Sequence, residues 1–496
     1  MNDSQIEKEF SMRRSSCGLV CGVMFMALAS GVRGEVKPNA LFSDNAVLQQ
    51  GAKVPVWGSA AEGEKVAITF DGQTETAVAK DGKWMVHLKP HKAGGPFTMT
   101  IKGANTVTIT NVLVGEVWIC SGQSNMAFRK GKLKDSASED YPKLRMFTVA
   151  MKSDLKPQAD VTGSWVECTT TTVGGFSAVG YFFGRDIHKA TGLPVGMIHS
   201  SVGGTPAESW TSLSGLEKEP SLRRYVEQAG KDGKRSVAVL FNGMIAPLIP
   251  YAIKGAIWYQ GESNNGRAFE YRTLFPCMIA DWRAKWGIGD FPFFFVQIAP
   301  FNGMTPEIRE AQLLTWKKTP NTAMAVITDV GEAGNIHPVK KEPVGVRLAL
   351  AARALVYGEK MEYSGPEYDS MRIDQNRVIL SFKHVGSGLV AKDGPLKGFT
   401  IAGADKKFVD AKAEINGDTV VVSNDQVAAP VVVRYGWANV PDVNFWNKEG
   451  LPASPFRTDP ESMTQDSPTV KGTKTAKSPK AAKPAKAKDA PATKGK

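Results

Sequence analysis

Residues 118–126 read Trp-Ile-Cys-Ser-Gly-Gln-Ser-Asn-Met, an apolar run that stops in a small, polar turn. A buried strand over Val117 to Cys120 that halts at Gly122 delivers Ser124 to the lip of a parallel sheet, where a hydroxyl can act as a nucleophile. The same window also fits a strand-to-helix turn with Ser124 or Asn125 as helix N-cap. Three further strand ends tip the reading towards chemistry. Val202-Gly203-Gly204-Thr205-Pro206-Ala207-Glu208-Ser209-Trp210 follows the strand expected over 195–200. Gln260-Gly261-Glu262-Ser263-Asn264-Asn265 follows that over 253–259, and Asp329 to Pro338 follows that over 323–328. Acyl transfer needs what these loops offer: a nucleophile, a base, backbone amides freed by glycine, and a side-chain amide for an oxyanion.

Six histidines are available as the base. His87 and His91 fall in an N-terminal β segment and His384 in a C-terminal one. His188, beside Arg185 and Lys189 on an expected helix, reads as solvated, and His199, inside an apolar strand, as a core histidine. His337 alone lies in a loop after a central strand, with Pro338 stiffening the turn after it. Elimination and position both select His337.

The elements that must position these groups can be read from periodicity. From Val36 to about Val112, short alternating strands (53–57, 65–70, 83–88, 97–101) with Asp71-Gly72 and Asp81-Gly82 turns predict a small β-sandwich or jelly-roll-like module. From about 114 to 362 the pattern changes to apolar strands (117–120, 195–200, 253–259, 291–298, 323–328) alternating with amphipathic helices (176–190, 270–286, 307–318, 344–356). That alternation predicts a parallel sheet with helices on both faces, which binds ligands at the carboxyl ends of its strands. Alternation at period two returns over 363–458, predicting a second β segment.

The two ends read differently. Arg13-Arg14, an apolar stretch over 19–29 and Ala27-Leu28-Ala29-Ser30 predict a secretory signal peptide within residues 1–34, with Met12 as an alternative start. The chain is therefore expected to be exported, periplasmic or extracellular. A lipid anchor on Cys21 is disfavoured by Val20, where a small residue is wanted. Residues 459–496 read as a disordered tail: Lys471 to Lys496 holds nine lysines against Asp489 alone and supplies +8 of the chain's formal +12. The tail could touch acidic surfaces, or simply be solvated. Lysines without interleaved aromatics do not suit nucleic acid. The three cysteines outside the leader, Cys120, Cys168 and Cys277, form neither a disulfide framework nor a zinc cluster; one bridge is open to them, and buried free thiols are the expected state.

These motifs carry a family resemblance. The chain is similar to the sialate O-acetylesterases, a branch of the SGNH-type serine esterases, from about Leu41 to Thr458. The resemblance rests on 41–48 (Leu-Phe-Ser-Asp-Asn-Ala-Val-Leu), Gly122-Gln-Ser-Asn-Met126, Gly203-Gly-Thr-Pro-Ala-Glu208, Leu240-Phe-Asn-Gly-Met244, Trp258-Tyr-Gln-Gly-Glu-Ser-Asn264 and Ile336-His-Pro338, in that order. It implies a three-layer α/β/α core flanked by β structure, acting on O-acetyl groups of sugars with no metal or other cofactor. Met126 stands where a hydrolase elbow Gly-x-Ser-x-Gly has its second glycine, which favours the SGNH type.

Carried onto these positions, the resemblance implies Ser124 as nucleophile, forming an acetyl-enzyme, and His337 as general base. The backbone N–H of Ser124 with that of Gly204 or Gly203 would hold the oxyanion, and Gln260 or Asn264 would add a side-chain donor, Gln260 being preferred because it directly ends its strand. Many SGNH enzymes carry an aspartate three residues before the histidine; here that position is Gly334, with Asn335 nearer. Glu262, Asp329 and Glu332 remain as acids to orient the imidazole, Glu262 being placed ahead of Asp329, and a backbone carbonyl is a further route. Glu262 could instead bridge loops, and Asp329 could cap a turn. Trp210 and Tyr259 are candidate pocket walls. Two other functions share these motifs: a polysaccharide (for example acetylxylan) acetyl esterase, and a carbohydrate-binding protein with an inactive esterase core.

Overall fold

The computed structural model describes residues 35–133, 139–230 and 233–459; the expected leader and the lysine-rich tail from residue 460 lie outside them. The core sheet runs in the order Trp165–Cys168, Tyr141–Thr148, Val195–Ser201, Thr106–Gly122, Gly255–Tyr259, Phe293–Val296, Thr322–Ala325. All neighbours are parallel except the outermost pair, 165–168 against 141–148. The chain leaves Thr106–Gly122 towards one side of the sheet and returns to build Gly255–Tyr259 on the other, so the end of the central strand is the topological switch point.

Opposite faces of the sheet are covered by different helix pairs. Trp118 points to one face and meets Phe183 of helix Ala178–Thr191, ring centroids 5.0 Å apart. That helix packs on Glu342–Leu355. Trp258 points to the other face, against Phe275 and Trp282 of helix Ala268–Trp286, which packs on Pro306–Lys318. The strands Gly255–Tyr259, Phe293–Val296 and Thr322–Ala325 are buried on both sides, as a parallel sheet between helices requires.

The central strand is longer than its apolar run announces. Its seventeen residues cross the 113/114 boundary without a break. The first half pairs with Gly94–Lys102 and Val47–Gln49 in the N-terminal module, and the second half belongs to the core sheet. The Asp-Gly turns form as expected, with both residues at positive φ in each. The strands Tyr141–Thr148 and Trp165–Cys168 are additions that the sequence pattern did not show. The last core strand closes at Ala325, so Asp329 lies in the turn beyond it rather than at the strand end. After residue 363, antiparallel strands form two four-stranded sheets and one pair. One apolar cluster extends from Val36 to Phe456 through all of these parts. Polar ties cross it, among them Trp165 Nε1 to the Leu41 carbonyl (2.9 Å) and Arg457 on Glu310 (2.7 Å). Cys120, Cys168 and Cys277 are free; the first two are buried and Cys277 is half-buried.

Gly122 is where the fold becomes a site. Its φ is +135°, and a Cβ there would stand 2.2 Å from the Tyr259 carbonyl oxygen. Only a glycine allows the central strand to turn this close to its neighbour. Gly122→Ala is expected to cost about 1–3 kcal/mol in chemical denaturation. Any turnover that depends on Ser124 should fall about 10²-fold because the serine is displaced with the turn.

Candidate active site

Ser124 follows the switch point in a turn closed by the Ala127 N–H donating to the Gln123 carbonyl (2.9 Å). The turn is tied to both neighbouring strands: the Gln123 N–H donates to Tyr259 O (3.0 Å) and the Val202 N–H to Gly122 O (3.1 Å). Gln123 and Asn125 are buried, and Ser124 between them reaches the surface. No α-helix begins at this turn; the next one starts at Ala178 with Ser177 as its cap, so neither Ser124 nor Asn125 is a helix cap.

His337 meets Ser124 across 213 residues of chain, Nε2 to Oγ at 2.8 Å. In the neutral ring with its proton on Nδ1, the hydroxyl donates to Nε2, the arrangement a general base needs. Partial burial, with the nearby charges of Lys341 and Lys132, lowers the imidazole pKa below its ordinary 6.5. The loop carrying it is stitched by Asn335, whose Oδ1 accepts from the His337 N–H (2.9 Å) and whose Nδ2 donates to the His337 carbonyl (3.0 Å) and to Glu332 (3.0 Å). Glu332 also accepts from the Val339 N–H at 2.9 Å.

Neither of the two favoured acids is hydrogen-bonded to the imidazole. Glu262 is buried behind the Ser124 turn, accepting from Gln123 Nε2 (2.7 Å) and Asn125 Nδ2 (2.6 Å). Burial raises its pKa, an effect opposed by Asn125 and by the charge of Lys341. Glu262 thus bridges loops. Asp329 is committed to a bidentate pair with Arg347 (2.6 and 2.8 Å), which also donates to the Val326 carbonyl. Among the described residues Ser124 is the one hydrogen-bond partner of the His337 ring, so its orientation comes from the loop backbone.

On the opposite side of Ser124, a Cβ added to Gly203 would lie 3.3 Å from Ser124 Cβ, so this loop sits directly against the serine. Gly204 has φ +74°, and the two carbonyls are pinned outward by Lys234 Nζ (3.1 Å) and Arg235 Nη1 (2.8 Å). The N–H groups of Ser124, Gly203 and Gly204 donate to no backbone carbonyl among the described residues. The side-chain donors differ. Gln260 is fully spent: Nε2 donates to Thr205 O (3.3 Å) and Asn264 Oδ1 (2.6 Å), while Oε1 accepts from Tyr271 (2.9 Å). Asn264 Nδ2 gives one hydrogen to Glu208 (2.9 Å) and keeps the other uncommitted among the described residues. The geometry therefore favours Asn264 over the preferred Gln260. Glu208 is in turn held by Arg267 (2.7 Å).

Trp210 and Tyr259 do not wall a pocket; both are fully buried, Trp210 against Trp258. His199 is a core residue, with Nε2 2.5 Å from Ser201 Oγ, and burial lowers its pKa to about 4. His188 is not simply solvated, since its Nδ1 lies 2.6 Å from the Leu193 carbonyl. Sequence reasoning did not assign site roles to Gln123, Asn125, Glu208 or Lys341. The first three stand inside the quoted motifs, where polar residues beside a buried strand end are a usable signal. Lys341, at the start of a helix, looks like any solvated lysine.

Comparison with known proteins gives the chain its relatives. A family model described as SASA, carbohydrate esterase, sialic acid-specific acetylesterase, matches residues 114–353. Sialate O-acetylesterases of Pongo abelii and Homo sapiens are 31% and 30% identical to the chain, each over 88% of it and 95% of their own length. The solved structure of a carbohydrate acetylesterase from Xanthomonas citri superposes with a TM-score of 0.81 at 40% identity, covering 86% of this chain and 100% of that one. The α/β core is accordingly SGNH-like. The chain belongs to the sialate O-acetylesterase family.

Proposed function

We propose that the protein removes O-acetyl groups from sugars, sialic acids foremost, through an acetyl-Ser124 intermediate with His337 as base. Family membership makes it a carboxylic ester hydrolase. The observation that carries the mechanism is the 2.8 Å contact between Ser124 Oγ and His337 Nε2 at the switch point of the sheet. In the first step Ser124 Oγ attacks the acetyl carbonyl as its proton passes to Nε2. The oxyanion is received by the N–H groups of Ser124 and Gly204, with Gly203 and the spare Asn264 hydrogen beside them. The sugar oxygen leaves with the proton from His337. Water, deprotonated by the same imidazole, then attacks the acetyl ester and releases acetate and free Ser124.

The sialate preference is supported by the Pongo abelii and Homo sapiens relatives, and the expected export by the leader-like N-terminus. Ser124→Ala should reduce hydrolysis of p-nitrophenyl acetate to the buffer rate; turnover like the parent's would overturn the mechanism. In a panel of O-acetylated sialic acid and acetylated xylan, the parent should favour the sialic acid, and preference for xylan would replace the substrate reading.

The imidazole must be neutral to accept the serine proton. Its lowered pKa keeps it neutral to more acidic pH, so the acid limb of the kcat/KM profile should have its midpoint below 6.5. Asp329→Asn should weaken the fold by about 1–3 kcal/mol through the loosened Arg347, measured by denaturant titration, and leave kcat/KM close to the parent's. A collapse of kcat at intact stability would instead return Asp329 to the catalytic relay.

A further inference from the structure

The mechanism leaves one costly group unused. Lys341 is buried to 1% exposure, directly before helix Glu342–Leu355. A cation there loses its hydration and also faces the positive end of the helix dipole. Its ammonium packs over the rings of Phe128 (5.1 Å) and Tyr259 (5.3 Å) and donates to Asn125 Oδ1 at 2.5 Å. No carboxylate oxygen lies within ion-pair distance of it among the described residues. Burial lowers its pKa to about 7, against the opposing pull of Glu262 and Glu332.

Asn125 shows what that cation does. Its side-chain oxygen accepts a hydrogen bond from Lys341 Nζ, and its Nδ2 donates to Glu262 Oε1 (2.6 Å) and to the Ile336 carbonyl (3.0 Å). Both Nδ2 hydrogens and one lone pair of Oδ1 are thereby used. Rotating the amide by half a turn would set its NH2 against an ammonium and its oxygen against a carboxylate and a carbonyl. While Lys341 carries its proton, its charge therefore permits one orientation only. In that orientation the residue after Ser124 grips the residue before His337.

We propose that Lys341 is a positioning residue for this esterase: acting through Asn125, it locks the nucleophile turn to the histidine loop, the task left open where no carboxylate holds the imidazole. This rests on Ser124 and His337 being nucleophile and base. The charge itself has a second effect. His337 is faced by the cations Lys341 and Lys132; Glu332 lies in its own loop, and Glu262 and the Tyr259 hydroxyl lie behind the nucleophile turn. Removing the Lys341 charge must ease protonation of the imidazole.

The test uses the full chain with Lys341→Met, which suits the surrounding rings, and Lys341→Gln, which keeps an amide in the same space. Folding is checked by thermal melting and near-ultraviolet circular dichroism. A folded variant of either kind should lose about 10²-fold in kcat with KM near the parent's. The acid limb of its kcat/KM profile should move to higher pH. A folded variant with parental kcat overturns the proposal, and so does one whose kcat falls while the acid limb stays in place, since that is a structural role alone. Ser124→Ala is run alongside: if it remains active, the nucleophile assignment fails, whatever the lysine variants do.

Discussion

A carboxylate buried behind a surface serine must have its oxygens filled, and filling them is what organises this site. Glu262 comes from the loop after one strand and takes hydrogen bonds from Gln123 and Asn125, which flank Ser124 at the end of the next. Left unsatisfied in that position, it would cost several kcal/mol or take up a proton. Bonded as it is, it fixes both neighbours of the serine and leaves only Ser124 facing outward. Asn125 then passes the constraint to Ile336, and His337 arrives in line.

This wiring differs from a serine–histidine–acid relay, in which the carboxylate holds the ring itself. Here the acidic group stands behind the serine and the ring is held through backbone, by Asn335 within its loop and by Asn125 from outside. The second carboxylate beyond the strands, Asp329, keeps Arg347 against the Val326 carbonyl and so supports the start of the histidine loop. On the far side Glu208 and Arg267 do for Asn264 what Glu262 does for Asn125. Charges recur in this site as holders of amides.

Much of this was legible in the sequence because it depends on local pattern. The apolar strands ending in Gly-Gln-Ser-Asn, Gly-Gly-Thr and Gln-Gly-Glu mark the sheet edge, and His337 alone among the histidines had a suitable place. Two strands escaped notice for a physical reason. In Tyr141–Thr148, Pro142, Lys143 and Arg145 break the apolar pattern, yet Arg145 is buried and compensated by Glu167 (2.9 Å), Asn45 and Asn111. Such compensation comes from distant residues and has no local signature. The choice between Gln260 and Asn264 escaped for the same reason, since both sit in one loop and two of the partners that spend Gln260, Thr205 and Tyr271, lie on other elements. Lys341 is the extreme case, a surface-like lysine made internal by Asn125.

The central claim is that the sheet delivers one activated serine. Its most direct measurement is peptide mapping by mass spectrometry after treatment with a serine-directed fluorophosphonate. A single adduct on Ser124, formed by the parent and lost when His337 is replaced by alanine, is the result this account predicts. No adduct, or one on another serine such as Ser201 beside His199, would contradict it.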